Sequence, residues 1–540
     1  MQPGDHTPNY TSLTDVTDAQ SDGAAPTAAG VTSLAPPQTV PQTVPVDGPE
    51  IVDPPQLRAQ NGVLRTTLEA APARITVSGQ SFTSNVYNGQ YVPPTLVLSP
   101  GDRLELTFIN NIGPADNEIK APQPSNVHYH GMVIPPVEPA DNIYVVVPSG
   151  AGEASAHGGH GDEASPALGV MEMTPTISPY RQGNRYNYSW TVPTTHTRGI
   201  NWYHPHMHGH VQHQILSGLS GVLLIDGFLE AHYPELASLR RRQIIFKDID
   251  LPGAPDGGPK TKTINGLLGG VIRAQPGDLQ YWQLANIGAD AFVNFAIDGH
   301  RMWVLERDGN PLAQPEEVTS VYLPPASRAG VIVATGDAGT YGLRSLEVDN
   351  GPAGDANPSR ILGSLIVEGP VSSNWQLRPR LLLPARDATA IEGTAKGVRA
   401  LPVTRKRTIR YTESADGNTF YIDGKEFDMN RDDVTVTLGD VEEWTIINDT
   451  DERHSFHIHQ LDFLVTHING EDEDATGLRD VVDIPYRVNG VPGSVTLRIP
   501  FRNPLMVGRF PFHCHITEHE DKGMMANVRV LPRPAAGKKR

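Results

Sequence analysis

Four groups of residues in this sequence have types and spacings suited to metal chemistry. They are His128-Tyr129-His130, His204-Pro205-His206, His454 with His457 and His459, and His513-Cys514-His515 followed by His519 and Met524. On an extended strand, residues i and i+2 point to the same face, so an H-x-H pair aims two imidazoles into one space. In the fourth group His513 and His515 face one way and Cys514 the other, which lets a single strand touch two metal sites. His454 has the opposite parity to His457 and His459. The spacing therefore predicts His454 beside Cys514, and His457 and His459 beside His513 and His515. Two imidazoles, a thiolate and a weak thioether make up an electron-transferring copper site, and His454, Cys514, His519 and Met524 supply that set. The other eight histidines form an all-imidazole set that suits copper better than magnesium or calcium. Zinc suits part of it, but gives no reason for eight converging histidines beside a Cys-His-Met site.

The composition agrees by exclusion. The 540 residues carry 43 Lys+Arg against 61 Asp+Glu, a net charge of −18, with 20 histidines and one cysteine. So acidic a chain is a poor generic nucleic-acid binder, because phosphate backbones reward Lys and Arg. No apolar run approaches the ~20 residues of a membrane helix. One cysteine forms no intrachain disulfide and no Cys-rich zinc module.

The elements that position these groups read as β-strands. From about residue 61, short runs rich in Val, Ile, Thr and Tyr alternate with Gly, Pro, Asn and Asp clusters, the pattern of an all-β sandwich or barrel protein. A repeat organises them. Gly101-Asp102, Gly277-Asp278 and Gly439-Asp440 are each followed by an apolar run and then by Asn110, Asn286 and Asn448, nine positions after the glycine. An Asn-Gly or Asp-Gly pair precedes each copy: Asn88-Gly89, Asn265-Gly266 and Asp423-Gly424. Three related β domains follow, at 61–228, 229–375 and 400–535, with 376–399 as a surface linker. Residues 1–60, rich in Pro, Thr, Ala and Gln, read as a disordered tail, and 536–540 as a basic one. No basic start with an apolar core is visible, so no intact signal peptide is expected. The paired histidines fall in the first and last repeats; the middle one has Asn294-Phe295-Ala296 in a comparable place.

Four ordered motifs on a threefold repeat resemble the copper motifs of the multicopper oxidases, and HCHITEHEDKGMM resembles the bacterial three-domain branch. The resemblance spans roughly residues 61–535. It implies three cupredoxin-like Greek-key domains, with a trinuclear copper cluster between the first and third, and four copper ions in all. Carried over motif by motif, His454, Cys514 and His519 with axial Met524 would hold the type 1 copper. His128 and His457 would hold the type 2 copper, and His130, His204, His206, His459, His513 and His515 the type 3 pair. The family's acidic positions match Glu520 and, at a more variable spacing, Asp141; both would supply protons. The implied activity is laccase-like: one-electron oxidation of phenols or aromatic amines at the type 1 copper, coupled to four-electron reduction of O2 to water. The runner-up is a metallo-oxidase acting on Cu(I), Fe(II) or Mn(II). A copper nitrite reductase is disfavoured by three domains and four motifs, and a copper-free scaffold by the complete ligand set. The resemblance also implies an extracytoplasmic location. A monomer suffices, with the oligomeric state open.

Other residues have plainer readings. Spacing alone also allows ligands at His206 and His208, but the Trp-Tyr-His-Pro-His context favours His204 and His206. That leaves His208 structural, and His210 and His213 outer or solvated. His157 and His160 fall in a Gly-rich insert, and Met171 and Met173 read as packing or lid residues. His232 and His300 read as ordinary surface or packed histidines. The run Glu471-Asp472-Glu473-Asp474 reads as a solvated loop, with a cation site near the type 1 copper as the alternative. Asp480 is expected to support the adjacent type 1 loop.

Overall fold

The computed structural model describes residues 44–77, 79–151, 181, 183–253, 260–386 and 393–534. Six sheets stack into three two-sheet units, one for each sequence repeat. In every repeat the strand that follows Gly-Asp lies in the middle of its sheet. Arg103–Asn110 pairs in parallel with Val63–Val77 and antiparallel with Arg185–Thr191. Leu279–Asn286 does the same between Arg240–Ile249 and Arg328–Ala334. Asp440–Asn448 lies between Arg405–Glu413 and Gly493–Phe501.

The repeated residues perform the same task each time. Asn88-Gly89, Asn265-Gly266 and Asp423-Gly424 all adopt positive φ, the turn conformation that these residue types tolerate. Their first side chains accept from the backbone N–H of Glu69, Ile245 and Arg410 at 2.7–2.8 Å. Asn110, Asn286 and Asn448 are buried and donate from Nδ2 to the carbonyls of Val147, Leu323 (the end of the strand Ser320–Leu323) and Pro485 at 2.8–3.0 Å. Each therefore ties the end of the central strand to a crossing segment. The repeat in the sequence is a repeat of turn and anchor chemistry.

Each unit closes over its own apolar core. Leu104, Phe108 and Trp190 lie in the first, Trp282, Phe295 and Leu365 in the second, and Trp444, Phe456 and Leu497 in the third. The strand Val293–Ile297, which carries Asn294-Phe295-Ala296, sits between Gly339–Ser345 and Ser320–Leu323. In the last unit His454–Ile458 sits correspondingly between Gly508–Cys514 and Val481–Ile484. The middle unit thus keeps the scaffold and lacks the imidazoles.

Two expectations are corrected. The tail does not extend to residue 60: Gln56–Arg58 forms a parallel strand against Thr95–Leu98, and Ile51 is 2% exposed in the middle core, its N–H bonded to Val271. The isolated apolar residues there gave no periodic signal. The 376–399 stretch is more than a surface crossing. It carries part of a 3-10 helix at Ser373–Leu382 and most of a short helix at Ala395–Ala400, and buries Leu381 and Val398. Residues 1–43 and 535–540, together with His157, His160, Met171 and Met173, lie outside the described residues.

Candidate metal centre

The ligand motifs sit where strands meet their ends. His128–His130 pairs antiparallel with Gly199–His204, placing His128 opposite His204. His454–Ile458 pairs antiparallel with Gly508–Cys514, placing Phe456 opposite Cys514 and His457 opposite His513. The parity reading holds: His454 lies on the Cys514 side, and His457 shares a space with His513 and His515.

The first group is His454, Cys514 and His519, all buried. Cys514 Sγ lies 3.6 Å from His454 Nδ1 and 3.7 Å from His519 Nδ1, and the two Nδ1 atoms are 3.0 Å apart. The far nitrogens are anchored, His454 Nε2 at 2.9 Å from Thr450 Oγ1 and His519 Nε2 at 3.3 Å from Glu452 Oε1. Anchoring Nε2 leaves both Nδ1 atoms facing the sulfur. Phe420 stacks on His519 at 4.1 Å, and the Ser455 N–H points at Sγ from 3.4 Å. Met524 is fully buried in the same core, and its carbonyl accepts from the Cys514 N–H at 3.1 Å.

The second group gathers His128, His130, His204, His206, His457, His459, His513 and His515, all within 1% of full burial. The Nε2 atoms of His206, His459 and His513 stand 3.0–3.3 Å from one another. His128 stacks on His459, and His130 on His457, each at 3.9 Å. Surrounding acceptors fix the rings. His128 Nδ1 lies 3.0 Å from Asp141, His204 Nδ1 2.8 Å from the Pro205 carbonyl, His457 Nδ1 2.8 Å from the Asp480 carbonyl, and His513 Nδ1 2.9 Å from the Cys514 carbonyl. Such outer partners select the tautomer and aim the other nitrogen.

These residues fit metal ions. His128 Nε2, His130 Nδ1, His204 Nε2, His457 Nε2 and both nitrogens of His515 are buried without a hydrogen-bond partner. Buried polar atoms are ordinarily paired. Facing imidazole lone pairs repel unless a cation lies among them. Burial, reinforced by neighbouring imidazoles, pulls His130, His204, His206, His457, His459 and His515 well below the usual histidine range, and burial lowers His519 to about 4. The rings are thus neutral, the form that binds metal. Burial pushes the Cys514 thiol up, so a bound cation is what would draw out the thiolate. An all-imidazole set beside a His-Cys-His set within a methionine-containing core is the donor chemistry of copper.

Both acidic residues expected from sequence reach the histidine group, in different ways. Asp141 accepts from His128, from Tyr129 N–H at 3.1 Å and from Gln460 Nε2 at 2.6 Å, so its carboxylate is held on three sides. Glu520 touches His513 Nδ1 at 3.1 Å and His206 Nδ1 at 3.4 Å, and neither oxygen has a better partner.

Asp480 requires a correction. It stands at the histidine group, with Oδ1 3.3 Å from His130 Nε2, and not at the Cys514 loop. The reason is register: His457 pairs with Val481, which carries its neighbour Asp480 past the strand end to the histidines. Sequence reasoning missed its partner Arg328 altogether. Burial works against the Arg328 charge, but the carboxylates of Asp480 and Asp308 outweigh it and hold the pKa up. Removing one partner of such a buried pair costs about 3–5 kcal/mol.

Glu471, Asp472 and Asp474 of the acidic run are exposed, in line with the solvated reading, but the first two form a strand rather than a loop. Glu471–Asp472 forms an edge strand, whereas Phe420, which stacks on His519, lies in Phe420–Ile422 at the opposite edge of the same six-stranded sheet. The carboxylates that do surround His519 come from elsewhere. Burial and the nearby carboxylates of Glu413, Glu518 and Asp355 push Glu452 up to about 8. Glu518 is visible in the sequence beside His519, but Glu452, Glu413 and Asp355 lie far from it along the chain. His208 packs edge-on against Phe427 at 4.8 Å, His213 bonds Glu118 at 2.9 Å, and His300 is held by the Asp298 carbonyl and the Gly336 N–H.

Comparison with known proteins agrees with this chemistry. Two family profiles, both described as multicopper oxidase, match residues 232–362 and 400–534. A multicopper oxidase of Staphylococcus aureus is 24% identical over 501 residues, covering 89% of this chain and 91% of that protein. The cell division protein FtsP of Escherichia coli is 27% identical over 373 residues, covering 64% of this chain and 74% of that protein. Among solved structures, the Campylobacter jejuni multicopper oxidase, described as a metallo-oxidase, is 21% identical with a TM-score of 0.69, covering 90% of this chain and 96% of that one. With motifs, fold and profiles in agreement, the chain belongs to the multicopper oxidase family.

Proposed function

We propose that this chain is a laccase-like oxidase that takes electrons one at a time from phenols or aromatic amines and delivers them to O2. In this reading His454, Cys514 and His519, with Met524 axial, hold a type 1 copper. His128 and His457 hold the type 2 copper; His130, His204, His206, His459, His513 and His515 hold the type 3 pair. Copper bound there supplies one-electron acceptance at the first group and four-electron reduction of O2 at the second.

The observation that carries this reading is the covalent continuity of the two groups. Cys514 belongs to one and its sequence neighbours His513 and His515 to the other, so a few bonds join electron entry to oxygen reduction. The remaining work falls to the chain. Glu452 fixes the outward edge of His519 and can accept a proton from a phenol or amine donor there. Glu520, in contact with two histidines and otherwise unbound, carries protons; Asp141, held on three sides, orients His128. No helix among the described residues is long and apolar enough to cross a membrane. An extracytoplasmic location is part of the same proposal, resting on the family.

The carboxylates near His519 also favour a second reading, oxidation of Cu(I), Fe(II) or Mn(II), because they attract cations. Oxygen uptake separates the two. On the phenol reading, a phenol supports faster uptake than the metal ions, and Glu452→Gln changes phenol turnover more than it changes the KM for metals. On the metal reading, Glu452→Gln raises KM for the metal ions by roughly tenfold, about 1.4 kcal/mol of binding, and leaves a neutral phenol unaffected.

A further inference from the structure

We infer that Arg328 and Asp480 form a positioning pair, through which the middle repeat, which gives no histidine to the cluster, sets the geometry of that cluster. The inference rests on the copper reading above. Arg328 opens the strand Arg328–Ala334 of the middle repeat, and its side chain is fully buried. All five of its N–H donors are engaged. Two go to Asp480 of the last repeat, at 2.6 and 2.7 Å. Two go to the first repeat, at 3.1 Å to the Ile200 carbonyl and 3.3 Å to Asn201 Oδ1. The fifth goes to the nearby Ala326 carbonyl at 3.2 Å. One guanidinium thus joins all three repeats.

The pair acts on two histidines from different motifs. Asp480 Oδ1 lies 3.3 Å from His130 Nε2, which leaves His130 Nδ1 facing inward. The Asp480 carbonyl takes the His457 Nδ1 proton at 2.8 Å, which leaves His457 Nε2 facing inward. The backbone after His130 is pressed against the same node. Gly131 has φ +84°, and a Cβ there would stand 2.5 Å from Arg328 Nη2 and 3.1 Å from Asp480 Oδ2. An ammonium cannot serve these acceptors, because it lacks the planar fork. A pair that only welded the repeats together would affect stability; a positioning pair must also show in the metal signature of the cluster.

The test uses the full chain as wild type, Arg328→Lys, Asp480→Asn and a control, Arg344→Gln, which breaks the remote Arg344–Asp298 pair of the same repeat. Each is titrated with Cu²⁺, followed by metal content, the blue type 1 absorption and the electron paramagnetic resonance of the type 2 site. The expected result for the first two variants is a full type 1 signature, with cluster copper bound roughly 10–100-fold more weakly and an altered type 2 spectrum. The isosteric Asp480→Asn decides if Arg328→Lys yields no folded chain. An unchanged cluster affinity and spectrum in Asp480→Asn would overturn the inference. So would an equal loss in Arg344→Gln, which would assign the effect to general weakening of the middle repeat. A wild type that takes up no copper would instead overturn the copper reading on which the pair depends.

Discussion

Cys514→Ser is expected to yield a folded, colourless protein that no longer oxidises its reductant. The substitution replaces sulfur by oxygen at a side chain with no exposure, and the Ser455 N–H remains near to pair with the hydroxyl. Stability should therefore change little. The metal chemistry should change greatly, because the thiolate is the soft donor that distinguishes this group from the histidines around it. Changes to groups that only orient ligands already cost 10–100-fold in metal affinity, so loss of a direct ligand is expected to exceed on the order of 100-fold. The histidine cluster does not use Cys514 Sγ and should retain its copper. The checks are thermal melting, the blue absorption and oxygen uptake on one preparation. Retained blue colour, or uptake within a few-fold of wild type, would refute this role.

The second large effect is expected at Glu520. Its carboxylate is completely buried, touches His206 and His513, and has no other hydrogen-bond partner. Reduction of O2 to water consumes protons, and a positioned acid contributes about 10²–10⁴-fold to such steps. Glu520→Gln keeps the shape and removes the exchangeable proton. Two half-reactions distinguish its role. Anaerobic bleaching of the blue colour by a reductant should proceed at the wild-type rate, while reoxidation by O2 slows by about 10²–10⁴-fold. Equal slowing of both halves would indicate a structural defect, and no slowing of reoxidation would remove Glu520 from proton supply.

What was legible in the sequence follows from the range of the physical rules. The H-x-H pairs were readable because strand parity is local: His513 lies in a strand that ends at Cys514 and His515 lies one residue past its end, close enough for the i, i+2 rule to place both rings in one space. The threefold repeat was readable because Asn88-Gly89 and its two counterparts mark positive-φ turns, and Asn110, Asn286 and Asn448 close each unit with the same anchor. Arg328 and Asp480 were not, because they are 152 residues apart and meet only when two repeats dock. A trace existed: Arg328 is a lone charge in front of the apolar run Ala329–Ala334, and a buried charge demands a partner. Glu452, which contacts His519, and its neighbours Glu413 and Asp355 were hidden for the same reason, coming from three separate segments, whereas Glu518 directly precedes His519 in the sequence. The visible run at Glu471–Asp474 lies at the opposite edge of the sheet from Phe420, so the alternative of a cation site beside the Cys514 group falls away. Residues 50–58 were misread because a short parallel strand, unlike a hairpin, leaves no turn signal.

The central claim is that the two buried side-chain groups hold copper together, and copper content measured on the purified, folded chain tests it most directly. After loading with Cu²⁺ and removal of loosely bound ions, the account predicts about four coppers per chain, with one giving the blue type 1 signature and the rest the type 2 and type 3 signatures. A folded chain that retains no copper, or retains it without the blue signature, would contradict it.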